Sequence, residues 1–163
     1  MHEHLRHYVI RPVLEELEQY GVSHIESAEE LLILTAAVES DGGKRLRQVG
    51  GTALGIYGMG LATVDDLLWT MRKWGLPTLL FDTAEYNEAP VKTKLYREIC
   101  GNLLVATALA RMHYHFAQEH LPDANDVEGL AEHWKQHWNH QGNVMNAITA
   151  YKMYIGKLSA PKA

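Results

Sequence analysis

The chain lacks most of the features that announce a function directly. Among its 163 residues there is one cysteine, Cys100, which excludes an internal disulfide framework and a cysteine-rich zinc module. With no Cys–His arrangement around it, Cys100 reads as a buried thiol. The longest apolar run, 31–38, is too short for the roughly 20 residues a bilayer-spanning helix needs. There is no basic excess either. Fifteen Lys and Arg stand against 20 Asp and Glu, and a net charge of −5 makes a poor non-specific binder of nucleic acid. The opening residues Met1-His2-Glu3-His4-Leu5-Arg6-His7 are polar and lead into no clean apolar run, so no secretory signal is expected. Nowhere do apolar and polar residues alternate as in a half-buried strand, and there is no internal repeat.

What is present is a globular composition, 47% hydrophobic and 21% charged. Apolar residues recur at helical spacing, which predicts one all-α domain over 1–163, with its core at about 5–154 and a frayed tail at 155–163. The predicted helices are Leu5–Tyr20, bent or restarted at Pro12; a second from the capping box Ser27–Glu30 to Glu39; Val64–Trp74, capped by Thr63; a long one from about Val91 to His120; one capped by Asp126 and reaching Trp138; and Val144–Tyr154. Residues 78–90 are ambiguous. The second helix is apolar on every face and should be the central, buried one. Directly after it, seven of the 13 glycines fall between Gly42 and Gly60, which predicts an irregular, tightly turned loop.

Glu39 is out of place in this pattern. It ends an apolar helix, where the helix dipole disfavours a carboxylate, and Ala36, Ala37 and Val38 imply low local polarity. Both effects raise a carboxyl pKa, and a carboxyl kept protonated near neutrality is what a glycosidase uses as a general acid. A side chain reaching solvent from the last turn accounts for the same residue, and the local sequence leaves both readings open.

The residues around Glu39 narrow the choice. Glu39-Ser40, a glycine-bearing loop, and then Ala53-Leu54-Gly55-Ile56-Tyr57-Gly58-Met59 resemble the lysozyme-like lytic transglycosylases, which carry a Glu-Ser pair at the end of a buried helix and a Gly-Leu-Met-Gln type motif after a loop. The longer string from Gln48 to Trp69 looks like a bacteriophage-encoded branch of that superfamily. So do Asn102-Leu103 with Ala110 to Tyr114, and Gly129 to Lys135 with Trp138-Asn139. The resemblance spans about Leu31 to Tyr154. It implies a lysozyme-like fold and cleavage of the bond between N-acetylmuramic acid and N-acetylglucosamine in peptidoglycan, with Glu39 as acid and then base and with no second carboxylate or cofactor. It further implies substrate-binding positions at Ser40, Gln48, Gly55, Tyr57, Met59, Trp138 and Asn139. A glycan strand would be the substrate. The chain would be carried in a virion, among other virion proteins or as a homo-oligomeric ring, with no nucleic-acid specificity and no membrane. This sequence departs from the pattern at Gly58, where the family has Gln, at Gly60-Leu61, where the branch has Glu-Pro, and at Val64, where it has His. These departures sustain the alternative of a structural virion component on the same fold with its catalysis lost.

Three other groupings have both a functional and a structural reading. Lys44, Arg45 and Arg47 could hold the carboxylates of peptidoglycan or form a solvated loop face. Trp69, Trp74, Trp134 and Trp138 could stack on sugars or belong to the core. His133 and His137 are spaced i, i+4, with His140 beyond, which could place a metal on one helix face. Trp134 follows His133, so this is not a His-Glu-x-x-His motif. The segment is read as a partly buried helix with histidines at its rim, and no metal is assigned.

Overall fold

The computed structural model describes residues 1–47, 50–73 and 89–157. The substrate-binding position expected at Gln48, together with Trp74 and most of the ambiguous 78–90 stretch, lies outside these residues. Among the described residues the chain is helical. In order come α1 (His2–Leu5), a π-helical turn (Arg6–Ile10), α2 (Arg11–Glu18), α3 (Glu26–Ser40), α4 (Leu61–Lys73), α5 (Ala89–Gly101), α6 (Leu103–Phe116), α7 (Val127–His137) and α8 (Val144–Tyr154). The only extended pairings among them are isolated bridges, Arg47 with Leu54 and Leu54 with Met59, inside the glycine-rich loop. No described helix is long and apolar enough to cross a membrane.

α3 is the central helix. Leu31 through Ala36 are all buried, and the helix packs against α6, α7, α8 and the π turn. Burial of every face follows from its composition, because a helix without a polar side has no surface to give to water. Its start differs from the capping-box expectation. The helix begins at Glu26 with Ile25 as an extended N-cap, and no side chain caps it. The carboxylates predicted for the cap are used in tertiary contacts. Glu29 accepts Arg11 Nε and Nη2, each at 2.9 Å, and lies 2.7 Å from His24 Nε2. Glu30 pairs with Arg6 at 2.7 Å and accepts the Tyr151 hydroxyl at 2.5 Å. These contacts tie the N-terminal helices and α8 to the root of α3.

The other differences from expectation have local causes. The first helix is continuous through Pro12 but widens into the π turn just before it, where the proline cannot donate a backbone hydrogen bond. α4 begins at Leu61, so Thr63 lies inside the helix and does not cap it. The single long helix expected from Val91 is two. It breaks at Asn102, whose backbone is extended and whose Oδ1 accepts the N–H groups of Leu104 and Val105. Asp126 caps α7 as the sequence predicts, and Asn143 caps α8. Cys100 is half-buried, not buried, and Trp69 is 63% exposed, with Lys73 Nζ 5.0 Å from its ring.

Burial opposes ionisation of Glu29, yet the bonds from Arg11, His24 and Arg6 outweigh it and bring its pKa down to about 2. A carboxylate depressed in the folded state stabilises fully above its unfolded value of 4.5, and that contribution is lost as pH falls toward 2. Glu29→Gln should therefore lower the unfolding free energy at pH 7 by about 3 kcal/mol, the scale of a broken buried pair. It should also remove that part of the acid sensitivity. Urea denaturation across a pH series checks both.

Candidate active site around Glu39

The end of α3 is built to stop abruptly. Asp41 takes a left-handed conformation at φ 54°, and the N–H groups of Asp41 and Gly42 bond back to Ala37 and Ala36 at 3.1 and 3.0 Å. Gly42 lies against the Tyr154 ring, where a side chain would collide. The buried Ser40 hydroxyl then ties the returning loop to the helix. It lies 2.5 Å from the Ile56 carbonyl and 3.0 Å from that of Ala36, and it accepts the Gly43 N–H at 2.8 Å. The 54–59 turn is thereby pinned beside the last turn of α3.

Glu39 projects from that turn, half-buried. Two N–H groups from the far end of the sequence reach the same carboxyl oxygen. Trp134 Nε1 donates to Oε1 at 3.1 Å and Asn139 Nδ2 at 3.3 Å. Trp134 is buried in α7, and Gly142 lies against its ring with no room for a side chain. Asn139 follows the α7 C-terminus, where Trp138 Nε1 donates to the Tyr57 carbonyl at 3.1 Å. Behind them, the Tyr114 ring stacks on Trp138 at 5.1 Å, and its hydroxyl lies 2.8 Å from that of Thr35.

Burial, the largest effect, pushes the Glu39 carboxyl above its ordinary value. The bonds from Asn139 and Trp134 and the nearby charge of Arg45 pull the other way without cancelling it. Because both donors address Oε1, that oxygen is fixed as the acceptor, and in the acid form the proton sits on Oε2. Oε2 faces Gly58. A Cβ added there would stand 3.1 Å from Oε2 and 2.9 Å from the Glu39 Cβ.

Glu39 opens onto a cavity of about 780 Å³ that it shares with Gly55, Gly58, Trp138, Asn139 and the basic stretch Lys44, Arg45 and Arg47. Lys44 also pairs with Asp41 at 2.9 Å. A second hollow of about 670 Å³ adjoins it. Leu46 and Arg47 line both, and the second is completed by Leu54, Tyr96, Cys100 and Gly101, among others. Glu39 is the one acidic residue among the described residues lining either hollow.

Of the positions expected to bind substrate, Gly55, Trp138 and Asn139 do share the cavity with Glu39. Three others do not present side chains there. Ser40 is wholly buried, and its hydroxyl bonds the loop at the Ile56 carbonyl. Tyr57 is also buried, its hydroxyl 2.9 Å from that of Thr107, and it meets the site only through its backbone carbonyl. Met59 lies in the core, as does Val64. Val64, where the sequence resemblance would place a histidine, thus occupies a core position. Trp134 is the site residue that sequence reasoning placed elsewhere, as core or sugar platform. It is core, and its one polar atom is spent on Glu39.

No protein-family model, no curated protein and no solved structure matches this chain.

Gly58 adopts φ +58° directly beside the carboxyl. Gly58→Gln, which introduces the glutamine that the sequence resemblance would place here, should therefore damage the site. The left-handed backbone costs about 1–2 kcal/mol for a residue bearing a Cβ, and the new side chain must displace Glu39. The expected outcome is a lower thermal midpoint with no gain in peptidoglycan cleavage, read by calorimetry and by a murein assay on the same preparation.

Proposed function

We propose that this protein is a peptidoglycan-cleaving lytic transglycosylase on a lysozyme-like helical fold, with Glu39 as its acid and base. The observation that carries the reading is a single half-buried carboxyl at the end of the central helix. It is held through one oxygen by Trp134 and Asn139 and faces a cavity lined by no second acid among the described residues. A hydrolase of the two-carboxylate type needs a partner at about 5–9 Å to act as nucleophile or to activate water. A transglycosylase does not. Glu39 gives its Oε2 proton to the glycosidic oxygen as the bond to the muramic C1 breaks. The carboxylate then takes the proton of the muramic C6 hydroxyl as O6 closes on C1. A 1,6-anhydro sugar and a free hydroxyl end result, and no water is consumed.

The rest of the cavity suits such a substrate. Two adjoining hollows offer room for a polymer rather than a single sugar. Trp138 supplies an aromatic wall, and Lys44, Arg45 and Arg47 complement the carboxylates of the lactyl groups and stem peptides. The bracing expected from the family glutamine is supplied here by Asn139 and Trp134, which leaves Gly58 free to pass close to the acid. Delivery to the wall in a phage particle belongs to the same proposal and rests on the sequence blocks that resemble the phage branch.

Isolated murein sacculi incubated with the purified protein should release 1,6-anhydro muropeptides, detected by mass spectrometry. Glu39→Gln should reduce release by about 10²-fold or more, the contribution of a general acid. The rate should fall on the alkaline side as pH rises through the raised pKa of Glu39, because only the protonated carboxyl can begin the reaction. Failure of the natural chain to release product at any pH would overturn the enzymatic reading in favour of a structural virion component.

A further inference from the structure

The segment after α6 and the last turns of α7 bring together three groups that the Glu39 site does not use. One ring nitrogen of His133, one of His137 and a carboxylate oxygen of Glu119 lie within 4.8 Å of one another. The two histidines are one helical turn apart, with ring centroids separated by 4.4 Å. His137 Nε2 lies 2.9 Å from Glu119 Oε2, and Gln136 Nε2 reaches the same carboxylate at 3.3 Å. Those contacts satisfy Glu119 and His137 but leave His133 unexplained. Its side chain is buried, at 6% exposure, and its Nε2 has no hydrogen-bond partner among the described residues. A bound ion is one of the few arrangements that satisfy a buried polar atom of this kind.

We propose that His133, His137 and Glu119 form a binding site for one divalent cation of the zinc type. Two imidazoles and one carboxylate suit a borderline metal, with water completing a tetrahedron. Ligand atoms at roughly 2.0–2.2 Å from zinc stand roughly 3.3–3.5 Å apart, so the present cluster needs only a modest contraction. Glu119, 49% exposed, is free to supply it. The cation would sit at the C-terminal end of α7, where the helix dipole favours positive charge. Arg111 is the other cation whose charge reaches His133. Its Nη2 donates to the Ser23 carbonyl at 3.0 Å, and Glu119 supplies the compensating negative charge.

Such a metal acts as a brace. It ties the segment that follows α6 to the end of α7, the helix that carries Trp134 between the two histidines and leads directly into Trp138 and Asn139. Those are the residues that hold Glu39 and wall its cavity.

The test is titration of the purified full chain with Zn²⁺ against a chromophoric chelator, together with its thermal midpoint with and without Zn²⁺. The expected result is one tight equivalent and a midpoint raised by the metal. His137→Ala and Glu119→Gln should each weaken uptake by at least about tenfold and remove the rise. His133 is buried and its replacement risks the fold, so the two more accessible ligands carry the test. A variant with His2, His4 and His7 replaced by Gln should keep the tight equivalent. No saturable uptake, uptake unchanged in His137→Ala and Glu119→Gln, or uptake lost only in the N-terminal variant would overturn the assignment. The readout is metal uptake, so it stands or falls separately from peptidoglycan cleavage.

Discussion

A helix that is apolar on all sides must be surrounded, and a carboxyl at its end must then either escape to water or be held by the residues that surround it. α3 meets this constraint at both ends in opposite ways. At its N-terminus, Glu29 and Glu30 are paired with arginines, where the helix dipole also favours carboxylates, and the pairs of Glu29 keep it charged. At its C-terminus, Glu39 meets no cation at hydrogen-bonding distance among the described residues, only two neutral N–H donors on one oxygen. The same helix therefore carries one carboxylate, Glu29, biased toward the ionised form at its root and one carboxyl, Glu39, biased toward the protonated form at its tip.

The rest of the fold keeps that tip in place. Ser40 fastens the glycine-rich loop by its buried hydroxyl, and the Trp138 indole clamps the Tyr57 carbonyl of the same loop. Gly42, Gly58 and Gly142 stand where a Cβ would strike Tyr154, Glu39 and Trp134 respectively. The glycines of this region thus include positions set by close approach as well as by turn geometry. The core and the candidate site meet in α7. Its buried Trp134 is part of the core, its following residues form the cavity wall, and its histidines give it a second anchor on the chain beyond α6.

Much of the fold was legible in the sequence because its signals are local. The apolar stretch at 31–38 marked the central helix, Asp126 marked the start of α7, and the apolar spacing from Val144 marked α8. The split between α5 and α6 was missed because Asn102 reads as an ordinary polar position until its side chain turns back onto the backbone. The capping box failed because long-range pairs with Arg6 and Arg11 compete for its carboxylates, and no spacing rule contains Arg6. The candidate site was legible in part. Glu39 stood out through its setting, and Trp138 and Asn139 fell into place beside it. Trp134 could not be assigned, since a contact across 95 residues leaves no periodic trace. Tyr57 and Met59 were drawn toward the cavity by their place in the loop motif, whereas the turn at Gly55 and Gly58 directs both into the core.

The central claim is that the setting at the end of α3 holds Glu39 as a proton donor. The most direct measurement is the pH titration of the Glu39 carboxyl carbon by NMR, assigned by comparison with Glu39→Gln. The account predicts a midpoint clearly above 4.5 and a further rise in Asn139→Ala, which removes one donor to the charged form. A midpoint at or below 4.5, or one that does not move in Asn139→Ala, would contradict it.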